Sequence, residues 1–236
     1  TFTGGTETGR VIMRTAGENL KPATVELGGK SANIIFDDAD FDQALDGALL
    51  GIFTNNGQQC LAGSRILVQR SIAKRFAEAF VARAEAIRVG DPRDPATELG
   101  PLVSRRHMQH VLGFVPEPGS RDRILTGGGR IPGLDKGCYV APTLVETTND
   151  SRIAQEEIFG PFGAFIVFDS DDEAYHIANQ SRFGLVSYVW SQNIARIMEA
   201  QERIEAGIVW CNTPMMRELR ARLGDGDEAI MTAHSF

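Results

Sequence analysis

The chain has 236 residues, of which 42% are hydrophobic and 23% are charged, and its formal net charge is −7. This composition is ordinary for a globular protein with one large domain, and the negative charge argues against a nucleic-acid partner. No apolar run approaches the roughly 18 residues that a membrane-spanning helix needs, so we expect no membrane partner either.

Helical and strand-like segments alternate along the chain. We predict helices over residues 6–19, with Thr6 as N-cap, and over 40–53, 72–87, 104–115, 171–181 and 194–204. We predict strands over residues 24–27, 32–36, 66–69, 139–145, 164–168, 187–190 and 208–211. This alternation is typical of an α/β fold with a largely parallel sheet. Three glycines at 127–129 lack a strand-to-helix context and are predicted to form a turn.

One cysteine stands in a chemically informative place. Cys60 follows a Gly-Gln-Gln turn and directly precedes a strand, so a substrate can reach its thiol. Only the thiolate is nucleophilic, and an ordinary cysteine titrates near pKa ~8.5, so the site needs a base. Glu26 is the candidate base. Taken singly, Cys60 could be a buried core thiol and Glu26 a solvated carboxylate at a strand edge.

The other cysteines and the histidines point away from metal chemistry. Cys60, Cys138 and Cys211 are odd in number and lack C-x-x-C spacing, which favours free thiols in a reducing, cytoplasmic compartment. His107 and His110 share a helical face without partners at ligand spacing. We therefore expect no metal site, and we interpret Cys138 and Cys211 as inert core thiols.

Several motifs stand in a recognisable order. They read Phe-Thr-Gly-Gly-Thr-Glu-Thr-Gly-Arg at 2–10, Glu-Leu-Gly-Gly-Lys-Ser at 26–31, the Cys60 loop, Glu-Glu-Ile-Phe-Gly-Pro-Phe at 156–162 and Gly-Ile-Val-Trp-Cys-Asn at 207–212. Together they resemble the aldehyde dehydrogenase superfamily over about residues 1 to 220. The resemblance implies a three-layer catalytic domain over 29–220 with a largely parallel sheet. A C-terminal remnant of the Rossmann-like dinucleotide-binding domain would occupy 1–28, and an aberrant, disordered tail 221–236.

This resemblance implies oxidation of an aldehyde to a carboxylic acid with NAD or NADP. Cys60 would form a thiohemiacetal, a hydride would pass to the nicotinamide, and Glu26 would activate water to hydrolyse the resulting thioester. The backbone N–H of Cys60 would supply one oxyanion donor. The family's second donor, an asparagine, would lie upstream of Thr1, so we expect the chain alone to be an incomplete enzyme.

The same resemblance assigns the cofactor side. Glu157 would bind the nicotinamide ribose, Phe159 would lie against the nicotinamide ring, and the start of the first helix would bind the pyrophosphate through free N–H groups. His107 aligns with a family position that can reach the ribose, but we interpret it as a helix-surface residue. The cofactor-binding set is Gly4, Gly5, Leu27, Glu157 and Phe159.

The substrate side is assigned to two threonines and an arginine. The segment 213–220, Thr-Pro-Met-Met-Arg-Glu-Leu-Arg, resembles the muconic semialdehyde dehydrogenases of aromatic catabolism, particularly those acting on 5-carboxymethyl-2-hydroxymuconate semialdehyde. Thr54 and Thr213 would shape the pocket for a small aldehyde. Arg217 or Arg220 would pair with a substrate carboxylate, although a surface salt bridge explains either arginine equally well.

Two other functions stay open at this stage. The chain could be a non-catalytic fragment that keeps the fold, or a cofactor-independent thiol esterase that uses Cys60 and Glu26. Full-length members of the family form homo-oligomers. After Arg220 the family's Pro-Phe-Gly-Gly continuation is replaced by Ala-Arg-Leu-Gly-Asp-Gly, which removes the expected oligomerisation strand.

Overall fold

The computed structural model describes residues 1–215 of the chain. Two of its nine strands form a small sheet near the amino terminus, and the other seven form a large one. The strands are β1 (Phe2–Thr3), β2 (Val25–Glu26), β3 (Ala32–Ile35), β4 (Arg65–Gln69), β5 (Arg123–Thr126), β6 (Thr143–Glu146), β7 (Phe162–Phe168), β8 (Val186–Trp190) and β9 (Ile208–Cys211).

Seven helices lie between these strands, and local sequence sets where several of them begin. The side chains of Asp40, Ser104, Ser170 and Asn193 accept hydrogen bonds from first-turn N–H groups and so cap α2, α4, α6 and α7. The helices are α1 (Thr6–Glu18), α2 (Phe41–Phe53), α3 (Arg70–Ala86), α4 (Arg105–Leu112), α5 (Arg152–Gln155), α6 (Asp171–Asn179) and α7 (Ile194–Arg203).

The large sheet has the order β5-β6-β7-β4-β3-β8-β9, and all neighbouring pairs are parallel except β5 with β6. The three central strands β7, β4 and β3 are therefore adjacent and point the same way. The loops that precede them meet at one edge of the sheet. That edge carries the residues of the candidate site.

Helices cover both faces of the large sheet. On one face, α4 to α7 bury apolar side chains such as Val111 and Ala174 against the strands. On the other face, α2 and α3 do the same with Ile52, Phe76 and Phe80. A strand that is covered on both faces of the sheet buries all of its residues, and every residue of β3 and β8 is buried. The predicted α/β fold with a largely parallel sheet in three layers is confirmed.

Three details differ from the sequence predictions. Gly5, not Thr6, is the N-cap of α1, and no side chain caps that helix. The two-residue strand β1, the edge strand β5 and the single-turn helix α5 were not predicted, because such short segments carry too few residues to show a hydrophobic period. The strand predicted over 139–145 begins only at Thr143, directly after Pro142, which has no N–H group to donate to a neighbouring strand.

Candidate active site

The loop that carries Cys60 begins with an unusual backbone turn. Asn55, Asn56 and Gly57 have φ angles of 53°, 57° and 67°, so the chain passes through the left-handed region in three successive residues. Asparagine and glycine tolerate this region best, and the local sequence therefore permits the turn. A Cβ on Gly57 would overlap the Gly160 carbonyl oxygen, so no other residue fits that position.

Side-chain amides fix this loop against its neighbours. Asn56 donates to the Pro101 carbonyl oxygen and accepts from the Gly100 N–H, both at 3.0 Å. Gln58 accepts from the N–H of Val103 at 3.0 Å. These hydrogen bonds hold the residues just before Cys60 against the segment that leads into α4.

A second turn, Gly28-Gly29, brings the other residues to Cys60. A Cβ on Gly29 would overlap the Cys60 carbonyl oxygen, and one on Gly28 would overlap the Glu157 carboxylate. The Gly29 N–H donates to Glu157 Oε1 at 3.0 Å. Tyr188 Oη donates to the Leu61 carbonyl oxygen at 2.7 Å and holds the far side of the loop. Two glycines thus allow the nucleophile candidate and Glu157 to approach the same backbone turn.

Arg65 stabilises the backbone directly after this turn. Its Nε donates to the Lys30 carbonyl oxygen at 2.8 Å, and its backbone N–H donates to the Ser31 carbonyl oxygen at 3.2 Å. The guanidinium also donates to the carbonyl oxygens of Ile177 and Ala178 at 2.8 Å each. Burial lowers the pKa of Arg65 to about 10, so the side chain remains a cation at neutral pH.

We expect Arg65→Leu to lower the free energy of unfolding by about 3–5 kcal/mol, because three buried carbonyl oxygens lose their donor. The control is Arg70→Leu, which removes an ion pair with Asp169 at the surface and should cost about 0–1 kcal/mol. Urea unfolding measures both changes. Equal effects of the two substitutions would contradict the role given to Arg65.

A cavity of about 690 Å³ opens in front of Cys60. Its volume lies within the range of small-molecule and cofactor sites. One wall comes from the start of α1, one from the Cys60 loop and one from α4 and the segment before β7. The lining residues are Thr3, Gly4, Gly5, Leu27, Gly28, Gln58, Gln59, Cys60, Leu61, Ser104, Arg106, His107, His110, Glu157 and Phe159.

The wall formed by α1 fits a phosphate group. A Cβ on Gly5 would meet no atom within 4 Å, so this end of the helix faces open space. The helix has no side-chain cap, and its first N–H groups remain available to an anion. The Gly4 N–H donates to the Glu26 carbonyl oxygen at 3.0 Å, which fixes the helix start beside β2. These features fit the pyrophosphate of a dinucleotide.

The thiol of Cys60 is held in its neutral form. Burial raises the pKa of Cys60 above its ordinary value, and the charges of Glu157 and Glu26 raise it further. The backbone N–H groups of Cys60 and Leu61 act in the opposite direction, because they stabilise the thiolate. The thiolate fraction therefore increases with pH above the range of an ordinary cysteine, and reaction at neutral pH requires a base.

We expect the rate of Cys60 alkylation by iodoacetamide to rise with a midpoint above pH ~8.5, the ordinary cysteine pKa. Glu157→Gln should shift the midpoint to lower pH, because it removes a negative charge that disfavours the thiolate. Mass spectrometry of the Cys60 peptide separates its labelling from that of Cys138 and Cys211. A midpoint at or below pH 8.5 in the unmodified protein would contradict the site electrostatics.

Burial raises the pKa of the Glu157 carboxyl above its ordinary value. The hydrogen bond from Gly29 and the charges of Lys30, Arg182 and His107 offset only part of this increase. Lys30 is itself fully buried, and burial together with the charge of Arg65 lowers its pKa to about 7. Lys30 is therefore part of the packing beneath the site.

Not every predicted site residue lines the cavity. Gly4, Gly5, Leu27, Cys60, Glu157 and Phe159 do. Glu26 lies on β2 within electrostatic reach of Cys60, although its side chain is not part of the described lining. Thr54 lines a separate groove between α2 and α3. It contacts the Cys60 loop through its backbone carbonyl oxygen, which accepts a hydrogen bond from Gln59 Nε2 at 3.1 Å.

The substrate segment is only partly described. Thr213 is half-buried and lies outside the cavity lining within residues 1–215. Its neighbour Met215 packs in the same apolar cluster as Cys60, together with Leu185 and Tyr188. Arg217 lies outside the described residues. The segment after β9 therefore reaches the neighbourhood of the nucleophile candidate through Met215.

His107 corrects one sequence interpretation. Instead of facing solvent on a helix surface, it lines the cavity, and its Nε2 lies 2.6 Å from the Phe159 carbonyl oxygen. His110, Ser104 and Gln58 also line the cavity and were not predicted. The apolar pattern of α4 did not indicate this position, because α4 is brought to the site only by the packing of distant segments. For His107, only the family resemblance had indicated a place near the ribose.

Within residues 1–215, no group of three or more His, Cys, Asp or Glu side chains is arranged to hold a metal ion. No helix in the described part of the chain combines the length and apolarity needed to cross a membrane.

Cys60, Cys138 and Cys211 are free thiols, and all three are half-buried. Cys138 and Cys211 are therefore not the fully buried core residues that we predicted.

Comparison with known families agrees with this geometry. The model of the aldehyde dehydrogenase family matches residues 1–224. The chain belongs to this family. The resemblance that the motif order indicated is therefore confirmed.

Individual relatives in this family are similar over nearly the whole chain. A 5-carboxymethyl-2-hydroxymuconate semialdehyde dehydrogenase from Escherichia coli is 45% identical over 94% of this chain and 48% of its own length. A betaine aldehyde dehydrogenase from Brucella anthropi is 43% identical over 89% of the chain and 44% of its own length. The chain thus spans about half the length of the curated relatives it matches.

A solved structure that binds a dinucleotide shows the same fold. PnpE from Pseudomonas sp. WBC-3, in its complex with nicotinamide adenine dinucleotide, superimposes with a TM-score of 0.90 at 44% identity. The match covers 92% of this chain and 45% of PnpE. The predicted fold class is confirmed by this similarity as well as by the sheet order.

Proposed function

We propose that this chain provides the nucleophile and part of the cofactor site for oxidation of an aldehyde to a carboxylic acid with NAD or NADP. One observation carries the proposal. Cys60 lines the same cavity as the uncapped start of α1 and the residues Glu157 and Phe159. A reactive thiol that shares a cavity with a dinucleotide-binding helix start fits an aldehyde dehydrogenase better than an esterase.

The first step is formation of a bond between Cys60 Sγ and the aldehyde carbon. Because Cys60 rests as a thiol, its proton has to leave during attack, and Glu26 is the base that accepts it. The N–H groups of Cys60 and Leu61 stabilise the negative charge that develops at the sulfur. The Cys60 N–H also supports the oxyanion of the thiohemiacetal.

The cofactor side orients the acceptor for the second step. A bound nicotinamide supplies the hydride acceptor. Gly4 and Gly5 precede the free N–H groups of α1, which would bind the pyrophosphate, and Leu27 lines the same cavity. Glu157 would bind the ribose, and Phe159 would contact the nicotinamide ring. The NAD complex of PnpE, which has the same fold, supports NAD as the cofactor.

The third step releases the acid from a Cys60 thioester. Glu26, once it has passed the first proton to solvent, removes a proton from water, and the water oxygen attacks the thioester carbonyl carbon. The C–S bond then breaks, the carboxylic acid leaves, and the sulfur takes the proton from Glu26 and returns as the Cys60 thiol. The Glu26 carbonyl oxygen accepts from the Gly4 N–H at 3.0 Å, and the charge of Glu26 reaches Cys60, which supports this role. The cavity in front of Cys60 is large enough to admit the attacking water.

We also propose a domain boundary between residues 28 and 29. Residues 1–28 belong to the dinucleotide-binding side and residues 29–220 to the catalytic side. The separate β1-β2 pair and the seven-stranded sheet support this boundary. Three free cysteines support a reducing, cytoplasmic compartment.

For the substrate we propose a semialdehyde that carries a carboxylate. The E. coli relative is named for such a substrate, and Arg217 carries a guanidinium, a group that binds carboxylates bidentately. The Brucella relative is named for betaine aldehyde, a cation, so the two substrate classes can be distinguished by charge. We expect Arg217→Ala to raise the KM of a carboxylated semialdehyde about tenfold and to leave the KM of a neutral aldehyde unchanged.

The control for this substitution is Arg220→Ala, which tests the other arginine of the segment. If Arg220→Ala alone raises the KM, the roles of the two arginines are exchanged. If neither substitution changes the ratio between the carboxylated and the neutral aldehyde, the carboxylate assignment is wrong. Preference of the protein for betaine aldehyde would overturn the proposed substrate class.

The function as a whole is tested by mixing the purified chain with NAD and a semialdehyde. Absorbance of NADH and hydrolysis of an activated ester are followed in parallel. NADH formation supports the dehydrogenase. Ester hydrolysis without NADH supports a thiol esterase, and the absence of both supports a non-catalytic fragment.

A further inference from the structure

His107 makes a direct contact with the backbone of Phe159. Its Nε2 lies 2.6 Å from the Phe159 carbonyl oxygen, and the two rings meet edge to face with centroids 6.0 Å apart. A carbonyl oxygen can only accept, so Nε2 carries the proton in this contact. The bond forms in the neutral Nε2–H tautomer and in the imidazolium alike.

The backbone of Phe159 needs such support. Its φ of 57° lies in the left-handed region, which a bulky residue adopts only where its surroundings hold it. The next residue, Gly160, is confined between α4 and the Cys60 loop, since a Cβ there would lie 2.7 Å from Val111 Cγ2 and its carbonyl oxygen abuts Gly57. The hydrogen bond from His107 acts on Phe159 itself.

Helix α4 also holds His107 in place. The backbone N–H of His107 donates to Ser104 Oγ at 3.1 Å, and its imidazole stacks on His110 with centroids 5.7 Å apart. His110 in turn meets Phe114 edge to face at 5.2 Å. The first two turns of α4 therefore present a fixed N–H group to the Phe159 carbonyl oxygen.

We propose that His107 is a positioning residue: its hydrogen bond holds Phe159 in the left-handed conformation and so sets where the Phe159 ring lies in the cavity. The effect on cofactor binding rests on the proposed function, in which that ring contacts the nicotinamide. The hydrogen bond and its effect on the Phe159 backbone do not depend on it.

The kinetic test compares His107→Leu, which has no donor, with His107→Gln, whose amide N–H can still donate. We expect the Leu variant to raise the KM for NAD about five- to tenfold, and the Gln variant to restore most of the loss. Ester hydrolysis, which uses Cys60 without cofactor, should be unchanged in both. Gln109→Ala, an exposed substitution on the same helix, is the matched control.

A second measurement needs no activity. NMR with ¹⁵N-labelled histidine and phenylalanine should show the Nε2–H tautomer for His107, and Phe159 backbone shifts that change in the Leu variant but not in the Gln variant. An Nδ1–H tautomer overturns the proposal. So does a higher KM in the Leu variant with unchanged Phe159 signals, which would indicate direct contact with the cofactor. If the unmodified protein does not reduce NAD, the proposed function fails, and the Phe159 signals still decide the role of His107.

Discussion

Cys60→Ser is expected to lower aldehyde turnover by a factor on the order of 10⁴ or more, because a serine hydroxyl is a far weaker nucleophile than a thiolate in the same position. The substitution preserves side-chain size, so the apolar cluster that Cys60 shares with Leu185 and Tyr188 should stay intact. NADH formation from a semialdehyde measures the loss. An unchanged thermal transition confirms that the protein remains folded.

Matched serine substitutions at the other two thiols provide the control. Cys138 and Cys211 are also half-buried and free, but neither lines the cavity in front of Cys60. Cys138→Ser and Cys211→Ser should therefore retain turnover. Dehydrogenase activity that persists in Cys60→Ser, or that disappears equally in all three variants, would rule out Cys60 as the nucleophile.

Glu26→Gln should lower steady-state turnover by about 10²–10⁴, the usual contribution of a general base. At neutral pH both thiol deprotonation and thioester hydrolysis lose their proton acceptor. Above the raised pKa of Cys60 the thiolate forms without a base, so the first turnover should recover while hydrolysis stays slow. The variant should then release one equivalent of NADH per chain and accumulate an acyl group on Cys60.

Rapid mixing with mass spectrometry of the Cys60 peptide detects this intermediate. Glu18→Gln, an exposed glutamate on α1, controls for the loss of one negative charge. A Glu26→Gln variant that turns over normally would assign the base to another group. Slow turnover without an acyl adduct at high pH would show that Glu26 acts before, and not after, hydride transfer.

Local sequence was sufficient for much of the fold. The helices α2, α6 and α7 lie within two residues of their predicted bounds. Their apolar spacing and their N-caps, Asp40, Ser170 and Asn193, can both be identified from residues that are close together in the sequence. The short edge strand β5 pairs only with β6 and was missed, because its pairing partner, not its own pattern, makes it a strand.

The candidate site was predicted unevenly for the same reason. Cys60 and Glu157 could be singled out because each sits in a distinctive motif. The role of His107 could not, since it depends on α4 packing against the segment before β7. Thr54 is close to Cys60 in sequence, yet it faces another groove, because the left-handed turn at Asn55 and Asn56 redirects the chain between them.

By itself, the sequence determined the α/β class and most helix and strand positions, and it singled out Cys60 as the candidate nucleophile, since all of these follow from patterns within short segments. Only the tertiary structure decided what surrounds that thiol. The adjacency of β7, β4 and β3 brings together three loops that are far apart in the chain. The Gly28-Gly29 turn then lets Cys60 and Glu157 approach the same backbone, because no Cβ stands between them.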